Sequence, residues 1–248
     1  MSRPLPITTL LVAGLALATT TACSRSAESS AVGSGGRAAQ NWSALKDFRA
    51  IDATGPDDVV VTTGDQFAVR AEGDPKAIER LDIKVKGDTL MIGRTSDGLW
   101  GGGYDGKGAK ILVTMPAITA AAITGAGDFD LDRADGKTLD LSLTGAGDFR
   151  VGMVKLARLS IAITGAGSIK IAGTADEGKL SVTGTGDIHG AGLKLGKADV
   201  SLLGVGDIDF ASDGPVAISL MGPGDVTVKG KAQCTTKGVG PGEVHCAP

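Results

Sequence analysis

A Gly-x-Gly triplet recurs through the second half of this 248-residue chain, with first glycines at Gly125, Gly145, Gly165, Gly184, Gly204, Gly222 and Gly240. The intervals are 20, 20, 19, 20, 18 and 18 residues. The residue after each triplet is Asp128, Asp148, Ser168, Asp187, Asp207, Asp225 or Glu243, and a weaker relative stands earlier, at Gly55-Pro56-Asp57-Asp58. A short unit repeated at a nearly fixed period cannot bury its own apolar face. It must stack on its neighbours, which confines the chain to repeat architectures.

The columns of the repeat identify the unit. Directly after the Asp position stand Phe129, Phe149, Ile169, Ile188, Ile208, Val226 and Val244, all apolar. One step on, every residue is polar: Asp130, Arg150, Lys170, His189, Asp209, Thr227 and His245. The next column, Leu131, Val151, Ile171, Gly190, Phe210, Val228 and Cys246, turns apolar again with one gap at Gly190. Before the triplet, Ile123, Leu143, Ile163, Val182, Leu202 and Leu220 alternate with Thr124, Thr144, Thr164 and Thr183. Period two is the signature of strands with one buried face. Each repeat is therefore strand, tight turn, strand and a second connection. Stacked at about 4.8 Å per coil, such units make an all-β parallel β-helix, right-handed by the crossover preference. Abundant glycine (39 residues) and few aromatics (3%) suit this better than a helical core.

The segment from about 48 to 113 is less regular. Strands are expected at 59–63, 67–71, 89–92 and 110–115, with a short helix at 74–81 capped by Asp74 and with Pro75 in its first turn. This region reads as an irregular start that caps the first coil.

The N-terminus carries Arg3 and an apolar run over 7–18, the pattern of an export signal. It ends in Thr20-Thr21-Ala22-Cys23, which is similar to a lipobox whose cysteine is diacylated; Thr20 stands where leucine is usual, so plain cleavage near Ala22 is the alternative. The expected organisation is a signal peptide over 1–22, a lipid-anchored flexible tether over 23–41 and one domain over 42–248, with repeats from about 119 to 246. Ser24 suits sorting to an outer membrane, facing the periplasm or exterior. Cys234 and Cys246 remain as an even pair in an oxidising compartment. A disulfide closing the last coil is the first expectation. Free thiols or half of a metal site are the alternatives, and His245 alone is too little for zinc.

Chemistry finds few footholds. The formal charge of −3 offers no basic field for nucleic acid. A phosphate cradle needs a helix after the glycines, and here a strand follows. In a calcium β-roll the liganding Asp would fall on Phe129, a core position. The turn residues Asp128, Asp148, Asp187, Asp207 and Asp225 read as structural acceptors for turn amides, with weak cation binding as the alternative. His189 and His245 share a column but stand three coils apart, roughly 14 Å, too far to share a metal. The outward threonines end at Leu203 and Met221, too soon for an extended flat face. A glycine-rich loop over 96–110 carries Trp100 and Tyr104, candidate contacts for a glycan or protein partner. No cofactor and no catalytic residue is expected.

The series "GAGDF", "GAGSI", "GTGDI", "GVGDI" and "GPGDV", preceded by "FRAIDATGPDDVVVTTG", a short helix and "LDIKVKGDTLMI", resembles the bacterial auto-transporter adhesin head, or GIN, domain over about residues 46–246. The resemblance implies a β-helical fold on an exported, often lipid-anchored protein, and no catalytic residues. The functional expectation is a non-catalytic binding, adhesion or structural module of the cell envelope. A polysaccharide lyase or glycosidase on the same scaffold is the alternative.

Overall fold

The computed structural model describes residues 40–95 and 108–247. Its strands are β1 (Gln40–Asn41), β2 (Ala50–Gly55), β3 (Asp58–Thr63), β4 (Ala68–Glu72), β5 (Leu81–Lys86), β6 (Thr89–Arg94), β7 (Lys110–Met115) and β8 (Ala120–Gly125). There follow β9 (Phe129–Gly145), β10 (Phe149–Gly165), β11 (Ser168–Gly184), β12 (Asp187–Gly204), β13 (Ile208–Ser212), β14 (Pro215–Met221), β15 (Val226–Lys229), β16 (Gln233–Val239) and β17 (Val244–Ala247). One helix, α1 (Pro75–Glu79), interrupts them, and its cap is as expected: the Asp74 carboxylate accepts the Lys76 amide at 2.8 Å.

The chain winds into a β-solenoid of about six turns. From β9 onward each coil pairs in parallel with the next, residue for residue: Phe129 beside Phe149 beside Ile169 beside Ile188. Buried side chains follow the expected columns. In one coil Phe129, Leu131, Ala134, Leu139, Leu141 and Leu143 all point inward with at most 2% exposure. The rings of Phe129 and Phe149 stack with centroids 4.9 Å apart. Each fully buried Leu, Ile or Phe contributes roughly 1.5–3 kcal/mol, so the stacked columns are the main source of stability. The gap at Gly190 is a packing device. A Cβ there would lie 2.6 Å from the Asp209 carbonyl oxygen and 3.4 Å from the Cβ of Phe210, the bulky residue that fills the column one coil on.

The corner glycines show why the turn recurs. Gly55, Gly125, Gly145, Gly165, Gly184, Gly204, Gly222 and Gly240 all hold φ between +124° and +148°, a region that other residues avoid. At Gly145 an added Cβ would also lie 2.1 Å from the carbonyl oxygen of Gly125. Conformation and close stacking both exclude a side chain.

The beginning of the solenoid is less simple than the sequence suggests. The β2–β3 unit is a true coil, with Gly55 in register with Gly125, but it is not terminal. It lies between β6–β7 on one side and β8–β9 on the other. Antiparallel pairing covers the outer edges at this end: β5 on β6, β4 on β7 and β1 on β4. Gln40 and Asn41 thus belong to the sheet. Ala77 and Ile78 of α1 are fully buried, so the helix packs as part of this cap.

The other end is different. Cys234 and Cys246 form a disulfide, on strands that stack over Val216 and Val228. The bridge joins two faces of the last coil but does not close the end of the core. The inward positions Thr236 and Gly238 are exposed, and a recess of about 460 Å³ opens between Leu220, Thr236, Gly238 and Val244.

Candidate binding surface

The corner acids act between coils. The Oδ1 of Asp128 accepts the Asp148 amide at 3.0 Å, and that of Asp148 accepts the Ser168 amide at 3.0 Å. Asp187, Asp207 and Asp225 do the same for the amides of Asp207, Asp225 and Glu243 at 2.8, 3.2 and 2.8 Å. The amides were expected to come from each residue's own turn; they come from the corner of the next coil. The ladder begins earlier than the seven triplets, since Asp58 accepts the Asp128 amide at 3.0 Å. It breaks once. Ser168 offers no carboxylate, and the Asp187 amide turns to the carbonyl of Gly167 at 3.3 Å.

Asp57 stands where later corners have their second glycine, and it is buried. Arg94 holds it with two bonds, Nη2 to Oδ1 at 2.5 Å and Nε to Oδ2 at 2.8 Å, and the Ala109 amide donates to Oδ1 at 2.7 Å. This bidentate pair ties the first corner to the flanking coil.

On the outer face past the corner, the polar column forms the cross-strand pairs expected of a wet sheet. Arg150 reaches Asp128 at 3.0 Å and Asp130 and Asp148 at 3.6 Å. Hydrogen bonding to Asp128, followed by the attraction of all three carboxylates, raises its already high pKa. His189 lies 3.6 Å from Asp209, and His245 lies 3.3 Å from Glu243. Further round the coil, Glu177 bridges Arg158 at 3.2 Å and Lys197 at 2.7 Å.

Beside the polar column runs an open groove of about 740 Å³, bordered by Val60, Asp130, Arg150, Met153, Lys170 and His189. It arises where the sheet bends. Register shifts between Val151 and Met153, between Lys170 and Ala172, and between His189 and Lys194 mark the bulges that turn each coil. Small residues there (Gly152, Ala172, Ala191 and Gly192) leave the hollow. Lys170 has no carboxylate partner among the described residues, and Met153 is 62% exposed. A second groove of about 500 Å³ lies on the face before the corner, over Ser181, Ser201 and Ser219 between Lys179 and Lys237.

Sequence reasoning found the corner acids and the disulfide pair. It missed the groove and Met153, because no residue type announces a bulge. Cys23, Trp100 and Tyr104 lie outside the described residues, so the proposed anchor and aromatic contacts have no structural description. Among the described residues no three His, Cys, Asp or Glu side chains gather into a metal-binding group.

The fold matches solved bacterial proteins. A protein from Bacteroides fragilis described as a "putative adhesin" is 23% identical with a TM-score of 0.74, over 85% of this chain and 98% of that one. A protein described as lipid binding from Parabacteroides distasonis is 20% identical with a TM-score of 0.66, over 86% and 97%. A protein from Parabacteroides merdae, also described as a "putative adhesin", is 18% identical with a TM-score of 0.65, over 86% and 97%. At these identities the likeness is one of fold. A comparison with curated proteins gave no match. The family model described as "Putative auto-transporter adhesin, head GIN domain" matches residues 47–232, and with the corner repeat and the solenoid in place the conclusion is plain: the chain belongs to the GIN-domain family.

Proposed function

We propose that the protein is an exported, non-catalytic module of the bacterial envelope, tethered through a lipid on Cys23, whose groove beside Arg150, Lys170 and His189 contacts an envelope glycan. The observation that carries this reading is the groove's extent. It crosses consecutive coils from β9 to β12, so polar side chains (Asp130, Arg150, Lys170 and His189) line it at one-coil spacing along one direction. A polymer matches that periodicity better than a compact small molecule. Membership of an adhesin-like family supports an envelope role.

A glycan array probed with residues 24–248 tests the contact. Binding to a glycan class is expected, with Lys170→Ser and Met153→Ser each weakening it about tenfold or more. Absence of glycan binding, or equal binding by both variants, would overturn the reading. Metabolic labelling with a fatty acid tests the tether: label is expected on the full chain and not on Cys23→Ala.

A further inference from the structure

We propose that the corner of the last coils, built around Leu203, Val205 and Met221, is a docking surface for a basic polypeptide. Three of the four large apolar side chains that stand exposed among the described residues gather here: Leu203 at 49%, Val205 at 56% and Met221 at 53%. Leu203 and Met221 are direct neighbours across two coils. Pro223 stands exposed in the column of Val205.

Other coils of the same molecule show that the corner does not need these residues. The column of Leu203 and Met221 is Thr124, Thr144, Thr164 and Thr183 in earlier coils, and the column of Val205 is Ala126, Ala146, Ala166 and Thr185. The adjoining carboxylates change character one coil earlier, at Asp187, and stay changed along the apolar stripe. Asp128 and Asp148 are both held by Arg150, whereas Asp207 and Asp225 have no cation within 4 Å among the described residues. Their Oδ1 atoms accept amides from the next coil, and both residues are exposed. An apolar stripe therefore runs beside an uncompensated acidic row, both repeating at about 4.8 Å.

That pairing selects the occupant by charge complementarity. An anionic membrane surface is repelled by the acidic row. A second copy docked through the same stripe would bring its own carboxylates against these. A glycan has no branched apolar groups to cover Leu203 and Met221. A polypeptide segment carrying Leu-like side chains beside Lys or Arg satisfies both rows. This surface is separate from the groove at Lys170 and Met153, so either can fail alone.

The test uses fluorescent 12-residue peptides, one alternating Leu and Lys and one alternating Leu and Glu, titrated onto residues 24–248 by anisotropy. The Leu/Lys peptide is expected to bind, more weakly as salt rises, and the Leu/Glu peptide is not. Leu203→Thr/Met221→Thr restores what earlier coils carry and is expected to weaken binding at least tenfold. Asp207→Asn/Asp225→Asn keeps the amide acceptors and is expected to weaken binding and flatten its salt dependence. Unaltered melting curves confirm that both variants fold. No binding of the Leu/Lys peptide, equal binding of the Leu/Glu peptide, or full binding by both variants overturns the proposal. So does a dimer in sedimentation, or flotation with lipid vesicles, that the Thr variant abolishes, because either gives the stripe to another occupant.

Discussion

The carboxylate of Asp187 accepts the backbone N–H of Asp207, one coil further along, at 2.8 Å. Neither residue has an ion-pair partner among the described residues, so this rung isolates what a corner acid contributes. Asp187→Ala leaves the amide without its acceptor and is expected to cost about 1 kcal/mol. Asp187→Asn keeps an acceptor oxygen and should recover most of that loss. Urea unfolding of the two variants against the parent checks the pair.

Corner glycines and the residues between them should differ sharply in tolerance. Gly165 holds φ +131°, and an added Cβ would lie 2.2 Å from the carbonyl oxygen of Gly145. Gly165→Ala is expected to destabilise by about 3 kcal/mol or more, since backbone strain and overlap combine. Ala166→Ser, on the exposed tip of the same turn, should change stability by about 0.5 kcal/mol or less. Thermal melts distinguish them.

The Asp57–Arg94 pair is sheltered, with side-chain exposures of 2% and 17%. Arg94→Met would leave Asp57 with the Ala109 amide as its one partner among the described residues to compensate a buried charge. A loss of about 3–5 kcal/mol is expected. Adding Asp57→Asn to Arg94→Met should restore part of it, as measured by a double-mutant cycle in urea.

Reduction of Cys234–Cys246, twelve residues apart in sequence, should lower stability by about 3 kcal/mol in the chain-entropy picture. Unfolding with and without reductant reads this out. Hydrogen exchange should show the loss concentrated in β16 and β17, whose inward side chains bury little.

Lys197 and then Arg158 lower the pKa of Glu177 from its ordinary 4.5. A carboxylate whose folded pKa is depressed stabilises the fold above its unfolded pKa and loses that contribution as pH falls through the folded one. The melting-temperature difference between the parent and Glu177→Gln should therefore be greatest above pH about 5 and shrink as pH falls below 4.5. The group is exposed, and salt should diminish the same difference.

Much of the fold was legible because a solenoid writes its register into sequence. Columns such as Leu143, Ile163, Val182 and Leu202 carry both strand direction and burial. The α1 cap was legible because Asp74 and Pro75 act locally. Three features were hidden because their causes lie between coils. Nothing near Asp128 says that its partner is the amide of Asp148 rather than one in its own turn. At the first corner a buried Asp57 replaces the glycine, and Arg94, which makes that tolerable, is 37 residues away. Likewise, Leu203 and Met221 looked like interruptions of a threonine column until their exposure and the uncompensated acids beside them were seen together.

The position of β2–β3 inside the stack has a consequence for how the chain is made. Coil order in space differs from coil order in time: the unit synthesised first rests between partners that arrive up to 70 residues later, as the Asp58–Asp128 bond records. A chain emerging N-terminus first cannot lay down its coils one upon another from the beginning. β2 and β3 gain partners on one side when β6 and β7 appear, and on the other only when β8 and β9 follow. The first coil is enclosed only once β9 exists, and from β9 onward order in space follows order in the chain.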